Sequence, residues 1–133
     1  MKTLLTLLAV LTLSICTVRA DVASELAALK KEFPAYVGPG PKSKHDVNDP
    51  LARDCRDKYT KAIGAISPAN LKQSAVYLKA QIAKDVERYE AIMAESTKAS
   101  ATTGKQFENA RANAYWLKSK VAPFLDKLDA LPN

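Results

Sequence analysis

One stripe of residues constrains this chain more than any other feature. Leu71, Ala75, Leu78, Ile82, Val86, Tyr89 and Met93 follow one another in steps of three and four. That spacing puts every one of them on a single face of an α-helix and makes a strand impossible over the same span. A helix this long with one apolar face must lay that face on other helices or on a sheet. No segment after residue 20 alternates with a period of two, and β-branched residues never cluster there. The partners must therefore be helices.

Proline and glycine mark where those helices end. Val22, Leu26, Leu29 and Phe33 define a first amphipathic segment from Asp21 to Phe33, and Pro34 forces Phe33 out of helical angles. "GPGPKSKHDVNDP", residues 38–50, is too rich in proline and glycine for regular structure. Asp49–Pro50 then reads as an N-cap followed by proline in the first turn. The second helix shows Leu51, Cys55, Tyr59, Ala62, Ile63 and Ile66 on one side. Ser67–Pro68 repeats the device, which predicts that the third helix follows almost at once and packs beside the second. The fourth helix starts after a break near Gly104 and carries Phe107, Ala110, Ala114, Leu117, Val121, Leu125 and Leu128 on its apolar face. Pro123 lies within it and predicts a kink, because it lacks an N–H and collides with the preceding turn. The expected fold is all-α: a small bundle of about four helices, two short and two long, with helix four kinked near Pro123.

Residues 1–20 have a different character. Lys2 precedes an apolar run from Leu4 to Ile15, and Val18 and Ala20 place small residues before Asp21. This is the layout of a secretory signal peptide, shorter than a membrane-spanning helix. The expected organisation is a leader at 1–20, then one helical domain at 21–133 with its Pro/Gly-rich loop at 38–50, in a secreted, extracellular protein. The chain has 20 basic and 14 acidic residues, so without Lys2 and Arg19 it keeps a net charge of +4. Mild basicity aids solubility but is no nucleic-acid signature, and no nucleic acid is expected as a partner.

Residues with chemistry are few. Cys16 belongs to the leader, which leaves Cys55 unpaired and no disulfide within the mature chain. Cys55 falls between Leu51 and Tyr59 on the apolar face of helix two, where a thiol behaves as a small hydrophobe. An intermolecular disulfide is the other reading, because an odd cysteine in a secreted chain invites one. His45 is the lone histidine and has no partner for a metal or a catalytic dyad. Carboxylates such as those of "KDVERYE" alternate with lysines as surface pairs. No catalytic residue, metal site or cofactor is expected, and the chain does not read as an enzyme.

The aromatics say more. Tyr115 and Trp116 lie off the main stripe of helix four. Successive residues turn by about 100°, so Trp116 points away from Leu117 and toward the side of Ala112, Ser119 and Pro123. That side is covered either by helix one, which must bury Leu26, Leu29 and Phe33, or by a partner. On helix three, Val76, Ala80, Ala83 and Ala94 form a second, small-residue face suited to burial or to lining a cleft. These features predict a non-enzymatic binder of an apolar or amphipathic small molecule, such as a fatty acid or other lipid, with Trp116, Tyr115, Val76, Ala83 and Phe33 at the ligand. The alternative is an effector-type factor that docks an extracellular protein through the Trp116 face or the basic loop at 42–45.

Overall fold

The computed structural model describes residues 21–98 and 104–132. The expected leader, with Cys16 and its cleavage site, lies outside the described residues. Those that are described form an all-α bundle of four helices, the last of them bent.

Helix α1, residues 21–31, buries Val22 and Leu26, with Leu29 and Phe33 partly covered. Pro34 ends this element as expected. Helix α2 (Pro50–Gly64) begins at Asp49, whose carboxylate accepts the Leu51 N–H at 3.0 Å. Its C-terminus is closed from outside by the Lys30 ammonium, which donates to the carbonyl oxygens of Gly64, at 3.0 Å, and Ile66. A cation suits that end of a helix, where unpaired carbonyls gather negative charge.

Helix α3 (Leu71–Lys98) starts later than Ser67–Pro68 suggests. Residues 68–70 form a turn, and Asn70 occupies the capping position instead. Its backbone carbonyl accepts the Ser74 N–H, while its side chain accepts the Ser67 N–H at 2.8 Å. Asparagine caps well because its short side chain competes for nearby backbone donors. The Ser–Pro pair therefore makes the turn rather than the first turn of helix.

Helix α4 (Gly104–Trp116) runs into a π-helical stretch, Leu117–Val121, and then into α5 (Ala122–Asp129). The expected kink is there, one turn before the proline. In an α-helix the Pro123 ring would strike the Ser119 carbonyl and leave it without a donor. The wider π turn, in which the Ala122 N–H reaches back to the Leu117 carbonyl, relieves that collision. Leu117 and Val121 stay buried through the bend.

Pairings along the helices set the topology. Cys55 and Tyr59 on α2 meet Tyr89 and Asp85 on α3, and Glu90, Lys79 and Lys72 on α3 meet Lys118, Asp126 and Asp129 in turn. Rising numbers on one helix meet falling numbers on the next, so α3 is antiparallel to α2 and to the α4–α5 arm. The predicted α3 stripe is buried from Leu71 to Tyr89, against Ala110, Ala114, Leu117, Val121, Leu125 and Leu128. Phe107 departs from its expected place in this core. It lies one turn beyond Ala110, lines a groove with Ser96 and Thr97 of the last turn of α3, and is only partly covered.

A candidate ligand groove at the end of the bundle

The second face of helix four is built by a strap, residues 33–49, that runs back along α4 from Trp116 toward its start. Three polar contacts fasten it to α4, and a fourth ties one of the anchors, Asn113, to α2. The Trp116 indole N–H donates to the Pro34 carbonyl at 3.3 Å. The Tyr36 hydroxyl donates to Asn113 Oδ1 at 2.5 Å, and Asn113 Nδ2 donates to the Leu51 carbonyl at 3.1 Å. The Asp46 N–H donates to Asn109 Oδ1 at 2.8 Å. Asn109, Asn113 and Trp116 are spaced by four and three, so they make one stripe, and all three are fully buried. Aromatic edges fill the space between: Phe33, Tyr36 and Tyr59 meet the indole at 5.8, 5.3 and 6.5 Å between centroids. Burial raises the Tyr36 hydroxyl well above the ordinary phenol range, so it stays a donor.

The strap doubles back through a turn in which the Ser43 N–H donates to the Gly40 carbonyl at 3.0 Å, and this brings the returning limb against Gly38. Any Cβ there would fall under 3 Å from the Ser43 hydroxyl and the His45 ring, which are themselves 2.8 Å apart. His45 stands edge-on to Tyr36 at 5.5 Å, so it is part of the strap's packing.

The expected ligand residues do not converge. Trp116 has no exposed surface and is in contact with Phe33, whereas Tyr115 is half-buried outside this aromatic group. Val76 is 65% exposed, and Ala80, Ala83 and Ala94 also face solvent. The small-residue face of α3 is therefore neither a second buried side nor a cleft wall. Alanine is the best helix former and costs nothing when exposed, so its presence does not imply a covering element. The apolar stripes read from the sequence passed over Asn109 and Asn113, although "ENARANAYW" held a signal for them. Asparagine is a poor residue for a helix interior, and two of them one turn apart signal a tertiary role.

A second polar cluster joins α2 to α3. Asp85 accepts hydrogen bonds from the Lys58 ammonium and the Tyr59 hydroxyl, each at 2.6 Å. Burial works against the Asp85 charge, but the Lys58 and Tyr59 donors outweigh it and hold the carboxyl below its usual range. Beside it, Cys55 is buried and free. Burial raises the thiol to about 11, despite a hydrogen bond with Tyr89 that acts the other way, so at neutral pH it is an unreactive SH. Tyr59, Asp85 and Cys55 are core groups here, while the Lys58 ammonium reaches Asp85 from the exposed side of α2.

An open groove does exist at the end of the bundle where α3 closes and α4 begins. Its volume is about 540 Å³, and it is lined by Lys44, Ser96, Thr97, Gly104, Lys105, Phe107 and Glu108. That size lies within the range of small-molecule sites. Phe107, only partly covered, is the one large apolar side chain in that lining. Lys105 is held by the Asp46 carboxylate at 3.3 Å and the Asp49 carboxylate at 3.6 Å, and Glu108 is held by Arg111 at 3.0 Å. The Asn48 N–H, followed by Lys105, keeps Asp46 ionised below the usual carboxylate range. The same aspartate ties the strap to α4, so strap and groove share a wall.

Among the described residues no group of three or more His, Cys, Asp or Glu is placed to hold a metal ion, and no helix is long and apolar enough to cross a membrane. Comparison with family models, curated proteins and solved structures gives no match.

Proposed function

We propose that the protein is a secreted, non-enzymatic binder of a small amphipathic molecule, a fatty acid or a related lipid, and that the ligand's chain lies in the groove over Phe107. The observation that carries this reading is the groove itself: Phe107 and two exposed lysines, Lys44 and Lys105, among its lining residues, and dimensions suited to a small molecule. The partial exposure of Phe107 supports it further, because a large ring left outside a well-packed core is available for contact. The ligand site is thus moved from the Trp116 side, where the strap already fills the space, to the end of the bundle.

Calorimetric titration with dodecanol, below its solubility limit, tests the reading. Binding near one per chain is expected, and Phe107→Ser should weaken it about fivefold to tenfold through lost apolar contact while leaving helix content unchanged. Absence of binding, or equal binding by both proteins, overturns the groove as the ligand site. Docking of another protein would then be the better reading. It draws on Val76 and Tyr77, 65% and 61% exposed side by side on α3.

A further inference from the structure

The charges around the groove do not cancel evenly, and the imbalance points to a headgroup. Lys105 is engaged by two aspartates, Asp46 and Asp49. Glu108 is engaged by Arg111. Lys44 is exposed, lines the groove, and has no acidic partner among the described residues. We infer that the groove selects a single-chain amphiphile with one negative charge, a carboxylate, and that Lys44 is the cation that reads it. The inference rests on the groove being the ligand site.

The arrangement of charge limits the ligand to one negative charge. A carboxylate at the rim meets Lys44 as a free counter-charge. A second negative charge would need Lys105, whose ammonium is already shared between Asp46 and Asp49, and would approach Glu108. A dianionic phosphate would therefore meet more repulsion than a carboxylate does. The apolar chain over Phe107 would supply most of the affinity, because an exposed ion pair adds little. Lys44 contributes discrimination between headgroups more than strength.

Titration with dodecanoate and dodecyl phosphate, each below its critical micelle concentration, and with dodecanol below its solubility limit, tests this on the full chain, on Lys44→Gln and on Phe107→Ser. Dodecanoate should bind about two- to fivefold more tightly than dodecanol, the range expected of one exposed charge pair, and dodecyl phosphate no more tightly than dodecanoate. In Lys44→Gln the carboxylate and the alcohol should become equal, and in the unaltered chain their difference should shrink as salt is added. Equal binding of carboxylate and alcohol by the unaltered chain, with Phe107→Ser still weakening both, overturns the headgroup inference and leaves the groove standing. A preference that survives in Lys44→Gln overturns the role of Lys44. Tightest binding by the phosphate overturns the restriction to one charge. Loss of all binding, or no effect of Phe107→Ser, removes the groove reading itself.

Discussion

Two faces of this bundle look alike on a helical projection and end differently. Trp116 and its neighbours lie off the core stripe of helix four, and Val76, Ala80 and Ala83 lie off the core stripe of helix three. Both suggest a second contact surface. In the folded chain the first is sealed, with Trp116 fully buried, and the second is open, with Val76 65% exposed. The difference is the strap. A second face is buried only if the chain has something left to lay on it, and residues 33–49 are laid on α4. The α4 face also carries the polar means of holding that cover, Asn109, Asn113 and the indole N–H, whereas the α3 face carries none.

Substitutions on the two faces should separate them by an order of magnitude. Trp116→Ala removes the centre of the aromatic cluster and should cost about 3–5 kcal/mol in denaturant unfolding. A cost under about 1 kcal/mol would show that the strap is not packed on the indole. Asn113→Ala comes next. It leaves the Tyr36 hydroxyl without its acceptor and removes the second bond to the Leu51 carbonyl, which keeps its place in the α2 ladder, at a cost of about 1–3 kcal/mol. Adding Tyr36→Phe should recover part of that loss, because the stranded hydroxyl is then gone. The double variant therefore distinguishes a polar clasp from simple packing, and protease cleavage within 38–45 should track the same order. Val76→Ser is the smallest change and should stay within about 0.5 kcal/mol, as at other exposed positions. A larger loss would mean that something covers the outer face of α3 in solution, and a change in sedimentation would identify a second copy as that cover.

Much of the fold was legible in the sequence, and for local reasons. The α3 stripe, the stop at Pro34 and the Asp49 cap rest on interactions within one or two turns, which the sequence displays directly. The Pro123 distortion was legible as to cause but not form, since a π turn and a sharp kink both relieve the same collision. The start of α3 was misplaced because Ser67–Pro68 and Asn70 both carry capping chemistry, and only the packed turn decides between them. The candidate site was hardly legible. Phe107 continues the period of a core stripe, and nothing local says that Ser96 and Thr97 of α3 share its groove rather than apolar side chains.

What the sequence determined by itself, then, is the set of helices, their inward faces and their ends, because periodicity and backbone sterics act along the chain. What only the tertiary structure decided is what lies opposite each remaining face. The angle of Trp116 about its helix is a local quantity, but its burial depends on Phe33 and Tyr36, some eighty residues away in sequence. The groove likewise exists only where Lys44 of the strap, Thr97 at the close of α3 and Phe107 at the opening of α4 are brought to one end of the bundle. Contacts of that range are set by how the helices pack and by which segment is free to cover them, and no repeat along the chain encodes either.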